Sequence, residues 1–254
     1  ACAMNTNTSG ANNTAVGKSA LLANTTGTQN VAIGTLALDA NTSGNELTAM
    51  GYNSLGANTT GCYNVAVGDN ALAANTTGND NTTIGMRSLL NNTTGTNNTG
   101  VGRNALRENT TAANNTAVGS SSLACNTTGI DNTAVGALSL DANTTGSQNI
   151  AIGKCSLTAN TTASNNVAAG HRSMETNTTG AANVSIGEQT LRYNTTGSCN
   201  TAVGSNAGLN NTTANDNVAV GNVALKLNTT GANNTALGAY SLQANTTGAS
   251  NVAV

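Results

Sequence analysis

The residues of this sequence that could carry chemistry are asparagines. Asn-Thr-Thr or Asn-Thr-Ser recurs along the whole chain, and each copy satisfies the Asn-x-Ser/Thr acceptor pattern for an N-linked glycan, with x not proline. The fifteen acceptors are Asn7, Asn24, Asn41, Asn58, Asn75, Asn92, Asn109, Asn126, Asn143, Asn160, Asn177, Asn194, Asn211, Asn228 and Asn245. The third residue is Thr or Ser every time. A place serving only a turn would sometimes be Asn, Asp or Gly instead. One reading is therefore a carbohydrate-bearing edge, with covalent glycans on these asparagines or the adjacent threonines. Asn-Thr-Thr-Gly is equally good turn chemistry, with Asn capping its own turn. A column of stacked asparagines could also form an amide ladder without sugar. Both readings stay open on the sequence alone. Asn12, Asn97, Asn114 and Asn233 add scattered sequons.

Other chemistry is sparse. His171 is the one histidine and stands alone. The ten acids are scattered without a recurrent pair, and no nucleophile–base grouping can be assembled. The expectation is a chain that is not an enzyme, with no catalytic residues, no metal and no cofactor. The five cysteines, Cys2, Cys62, Cys125, Cys155 and Cys199, fall at unrelated points of the repeat, which argues against intrachain disulfides. A regular threonine column could suggest ice binding, but adjacent threonines do not make the double T-x-T array of a flat ice-binding face.

The elements that position these asparagines follow from the spacing. Gly17, Gly34, Gly51 and their successors to Gly238 recur every 17 residues without insertion. The unit reads x-x-[AS]-L-x-x-N-T-T-G-x-x-N-[TV]-A-[VI]-G, and its places are numbered 1 to 17. Places 7 and 8 are Asn and Thr in all fifteen units, while places 1, 2, 5, 6, 11 and 12 vary freely and carry every charge. Divergence at some places with strict retention at others and constant length is incompatible with a disordered low-complexity tract. A period of 17 is too short for a helix–turn–helix repeat and suits one coil of a solenoid.

The expected fold class is all-β: a parallel β-solenoid of the β-roll or β-helix type, 17 residues per coil and about fifteen coils. It forms one continuous array over residues 1–254. Coils stack at roughly 4.8 Å, so fifteen would extend about 70 Å. Alternation in the T/V-A-V/I segment is read as a strand with places 14 and 16 facing in and place 15 out. Ala-Leu at places 3 and 4 is read as a second short strand with Leu facing in. Gly at places 10 and 17 is expected at corners of positive φ. The absence of proline fits strands whose N–H groups are all needed by the ladder. On this reading, small residues at place 15 line an outer stripe on which a neighbouring chain packs: Ala15, Ala32, Ala49, Ala66, Ala117, Ala134, Ala151, Ala168, Ala202, Ala219, Ala236 and Ala253.

Composition limits the partners. Lys and Arg total eight and the net charge is −2, so there is no basic footprint for nucleic acid. No apolar run approaches the ~18 residues of a membrane span. The segments NVAIG (30–34), NVAVG (64–68), NTAVG (132–136), NIAIG (149–153) and NVSIG (183–187) resemble the head repeats of YadA-like trimeric autotransporter adhesins, and are similar to repeats of phage tail-fibre shafts. The NTTG half departs from that pattern and lengthens the coil. The resemblance implies self-association, as a homotrimer or end to end, and a place outside the cell or on a cell or virion surface. The expected function is a structural extracellular fibre or filament shaft glycosylated on its NTTG edge. The alternative is a trimeric adhesin head or tail-fibre segment that binds a host surface. Neither end carries an atypical capping unit, so the array is expected to be a fragment of a longer fibre.

Overall fold

The computed structural model describes residues 2–254. It contains fifteen three-residue or two-residue strands and no helix among the described residues. Two compact units divide the chain, residues 1–128 and 129–254. The first holds β1 (Thr14–Val16), β2 (Val31–Ile33), β3 (Thr48–Met50), β4 (Val65–Val67), β5 (Thr82–Ile84), β6 (Thr99–Val101) and β7 (Thr116–Val118). The second holds β8 (Thr133–Val135), β9 (Ile150–Ile152), β10 (Val167–Ala169), β11 (Val184–Ile186), β12 (Thr201–Val203), β13 (Val218–Val220), β14 (Thr235–Leu237) and β15 (Val252–Ala253). Within each unit every strand pairs in parallel with its neighbours in the chain, and each residue faces the one 17 places on, as Thr48 faces Val65. Each unit is thus a parallel β-solenoid with one coil per repeat.

The strand faces are the reverse of the alternation expected. Place 15 points in: Ala32, Ala49, Ala66, Ala117, Ala134, Ala151, Ala168, Ala202, Ala219 and Ala236 are at most 2 % exposed, while Ala15 and Ala253 on the terminal strands are partly covered. Places 14 and 16 point out. The reason is volume. Leu at place 4 is fully buried in coil after coil and fills one end of a narrow interior, leaving room opposite only for small side chains, alanine in most coils and Thr83, Gly100 or Ser185 in the others. Where place 15 is Gly100, an added Cβ would lie 2.5 Å from Ser88 Oγ and 2.7 Å from Leu89 Cδ1. The small-residue stripe is an interior column, not a chain-packing face.

The Ala-Leu pair is also not a strand. It lies in a turn in which places 2 and 4 both take left-handed φ, as at Ser19 (58°) and Leu21 (52°). Holding leucine there costs on the order of 1 kcal/mol, offset by the roughly 1.5–3 kcal/mol of burying its side chain. Of the two glycines, only place 17 needs its φ, 112–144° along the chain. Gly at place 10 answers a different need: a Cβ on Gly27 would lie 2.4 Å from Asn24 Oδ1 and 2.5 Å from the Gly44 carbonyl. Ala112, Ala163 and Ala214 take this place in three coils and stay buried.

Candidate functional site

Places 4, 7, 10 and 13 all face the interior, a spacing of three that turns the chain inward once per side of the coil. Leu at 4, Ala, Ser or Thr190 at 3 and mostly Ala at 15 make the less polar end. Asn at 7 and 13 make the polar end. The asparagines expected to carry glycan therefore lie inside. Asn24, Asn41, Asn58, Asn75, Asn92, Asn109, Asn126, Asn143, Asn160, Asn177, Asn194, Asn211 and Asn228 are at most 1 % exposed, and Asn7 and Asn245 on the end coils are part-covered.

Their amides are fully engaged. From Asn24 to Asn126 in the first unit and from Asn160 to Asn245 in the second, Nδ2 donates to Oδ1 of the same asparagine one coil earlier, at 2.8–3.1 Å, as Asn24 does to Asn7 and Asn75 to Asn58. The second Nδ2 hydrogen goes to the place-10 carbonyl of the same coil, as from Asn24 to Gly27 at 3.0 Å. Place 13 completes the arrangement. Asn64 Nδ2 donates to the Gly78 carbonyl at 2.8 Å, and its Oδ1 accepts the Asn81 backbone N–H at 2.9 Å. The place-10 carbonyl thus receives two amides, one from place 7 and one from place 13 of the coil before. An N-linked glycan replaces one Nδ2 hydrogen and so removes one of the two bonds, and the buried amide leaves no room for a sugar, which corrects the expectation of sugar at place 7. The amide-ladder reading is the one the fold realises.

The NTTG threonines divide sharply. At place 8 the hydroxyl donates to the place-8 carbonyl of the next coil, as Thr25 does to Thr42 at 3.0 Å and Thr59 to Thr76 at 3.0 Å. At place 9 the side chain turns to solvent, as at Thr26, Thr60 and Thr77.

The outward strand face was not anticipated. Place 16 is aliphatic in every repeat and faces out, exposed in most coils, as at Ile84 (46 %), Ile152 (44 %) and Ile186 (43 %), and half-buried at Ile33, Val67, Val101, Ala169 and Val203. Beside it runs place 14, always Thr, Val or Ile. The signal that could have revealed this face was size: place 15 is held small in all repeats, as an enclosed place must be, while places 14 and 16 vary among larger residues.

Charges sit on the outer, variable places. Glu175 meets Arg192 at 2.6 Å and Arg172 at 3.6 Å, and the Arg192 guanidinium lies 5.0 Å from the Tyr193 ring centroid. His171 Nδ1 is 3.8 Å from Glu188. Glu175–Arg192 and His171–Glu188 tie neighbouring coils and Arg172–Glu175 lies within one, and each of these ion pairs is worth little. Burial raises the carboxyl pKa of Asp39 and Asp141, opposed by nearby backbone N–H groups. Cys2, Cys62, Cys155 and Cys199 are free thiols. Among the described residues no pocket opens, no cluster of His, Cys, Asp and Glu could hold a metal, and no helix is long and apolar enough to cross a membrane. No family model, curated protein or solved structure matches this chain.

Proposed function

We propose that this chain is a structural shaft, a non-enzymatic stack of coils that associates with further copies of itself through the strand face of places 14 and 16, as part of a fibre outside the cell or on a cell or virion surface. The observation that carries this reading is the outward aliphatic column. A solvated sheet face normally alternates to polar residues. Here place 16 accepts only Val, Ile, Leu, Met or Ala through all fifteen repeats while lying, exposed or half-buried, on the outer face. Extended apolar surface of this kind marks an interaction site. A second copy of the same chain is the partner that fits, because it presents ridges at the same repeat and can match the column coil for coil. The surface placement rests on the resemblance of the NVAIG-type segments to adhesin heads and tail-fibre shafts.

A receptor-binding head is the weaker reading. A receptor site breaks a repeat locally, whereas the constant surface features here run through every coil, and the exposed tyrosines Tyr52, Tyr63, Tyr193 and Tyr240 are dispersed. The test is the mass in solution by light scattering, with electron microscopy, of the wild type and of the triple variant Ile84→Lys, Ile152→Lys, Ile186→Lys. The wild type is expected to assemble and the variant to stay monomeric with an unchanged circular dichroism spectrum. A wild type that is monomeric at micromolar concentration, or a variant that still assembles, would overturn the reading.

A further inference from the structure

Sorting the seventeen places by what the fold asks of them leaves one unexplained. Places 3, 4, 7, 10, 13 and 15 are held by the interior, place 8 by its hydroxyl-to-carbonyl bond, and place 17 by its φ. Places 14 and 16 belong to the strand and its apolar face. Places 1, 2, 5, 6, 11 and 12 are free and vary. Place 9 fits neither group. It is Thr or Ser in every repeat, yet its side chain is exposed in every coil except at half-buried Ser43. Among the described residues no place-9 hydroxyl takes part in a hydrogen bond within the chain, in contrast to place 8 beside it. The methyl is not what is retained, because Ser9 and Ser43 lack it. What is retained is a solvent-facing hydroxyl that the folded chain does not use.

We propose that the place-9 hydroxyls, such as those of Thr26, Thr60, Thr77, Thr145, Thr179 and Thr196, are sites of O-linked glycosylation. A modification is the use that requires a hydroxyl, tolerates Ser for Thr, and needs no partner within the chain. Oγ attacks the anomeric carbon of a nucleotide-activated sugar. The new carbon–oxygen bond forms as the bond from the anomeric carbon to phosphate breaks. The nucleoside diphosphate leaves with the electron pair, and the hydroxyl proton passes to a base of the transferase. Neutral sugar is favoured over phosphate by spacing. Groups on successive coils stand about 4.8 Å apart, well inside the ~8 Å screening length of physiological salt, and eight Lys and Arg in the chain cannot balance a column of dianions. The same spacing limits each site to a short sugar that stacks on its neighbours.

The experiment is mass spectrometry of the natively isolated protein, intact before and after reductive β-elimination and N-glycan amidase, then fragmented by electron transfer to locate the groups. The expected result is a mass excess removed by β-elimination, untouched by the amidase, and placed on position 9 of the repeats. A Thr60→Val variant made in the source organism should lack one such group, and Thr59→Val should keep them all. A mass equal to the polypeptide, phosphate at these sites, sugar at place 8, or release by the amidase with Asn converted to Asp at place 7 would each overturn the proposal. It extends the shaft reading without depending on it: assembly is read by light scattering and modification by mass, so either can fail alone.

Discussion

Replacing Asn58 by alanine tests the amide ladder at the point where it has least redundancy. Asn58 Nδ2 donates to Asn41 Oδ1 at 2.9 Å and to the Gly61 carbonyl at 3.0 Å, and its Oδ1 accepts from Asn75 at 2.8 Å. Asn58→Ala removes all three, at about 1 kcal/mol each. It also strips the Gly61 carbonyl of its side-chain donor, because the place-13 residue of the coil before is Leu47 and not Asn. Leaving that buried acceptor alone costs a further ~1–3 kcal/mol, for a total near 5 kcal/mol. The control is Asn75→Ala. It loses the equivalent three bonds, but the Gly78 carbonyl keeps a donor in Asn64 at 2.8 Å, so the expected loss is about 3 kcal/mol. Both variants leave the same void, which cancels in the comparison. Guanidinium denaturation followed by circular dichroism, with hydrogen exchange over residues 41–85, measures the difference. Equal losses, a larger loss for Asn75→Ala, or a loss under about 1 kcal/mol for either would refute the ladder as the source of stability.

Other outcomes follow from the same columns. Leu47→Asn sacrifices a buried leucine in any background, but in Asn58→Ala it also restores a donor to the Gly61 carbonyl, so it should cost about 1 kcal/mol less there than in the wild type, the coupling a double-mutant cycle reads. Gly208 interrupts the leucine column with its backbone already left-handed at 57°, and an added Cβ meets only the mobile end of Leu191, at 2.9 Å. Gly208→Leu should therefore raise stability by about 1 kcal/mol in thermal or chemical denaturation. Ala66→Val overpacks the interior and should cost about 1–3 kcal/mol, while the outward Val67→Thr should stay within about 0.5 kcal/mol. Burial holds the Asp141 carboxyl above its ordinary value of 3.8, and its Oδ1 has no hydrogen-bond partner. The folded protein thus binds this proton more tightly than the unfolded chain, so ionised Asp141 destabilises the fold at neutral pH and the penalty fades as pH falls through the raised value toward 3.8. Asp141→Asn should be the more stable protein at pH 7, with the difference closing in acid.

Much of this fold is legible in the sequence, because the repeat is a measurement made fifteen times over. The coil length, the parallel stacking, the inward Leu and the asparagine columns all follow from which places resist divergence. The strand faces do not. A three-residue alternation of β-branched, small, β-branched reads equally well either way, and the bulky residues win only if the interior can hold them. That depends on Leu at place 4 lying across from Ala at place 15, a contact set by two left-handed residues in a turn that non-glycine sequence does not advertise. The place-7 asparagines illustrate the same gap. Their residue type answers to two chemistries, and only the buried, doubly donated amide of a residue such as Asn92 separates ladder from acceptor. The outward columns at places 9 and 16 were visible as constant places, but constancy alone does not say which side of the wall a residue stands on.

The exact match of each residue to the one 17 places on has a consequence for folding. When every coil offers the next the same interior, a coil can stack on its second neighbour almost as well as on its first, with one repeat thrown out as a loop. Closing such a loop grows only slowly more costly with length, so slipped pairings are close competitors of the correct one. The odd residues break the tie. The Gly100 carbonyl accepts a 2.9 Å bond from Ser88 Oγ, which an added Cβ would crowd, Ser185 shares a 2.7 Å bond with Ser173, Leu47 stands in an asparagine column, and Gly208 in a leucine one. Each marks its coil as different from the coils on either side. An array with these departures smoothed away would be more regular, and less able to find its own alignment.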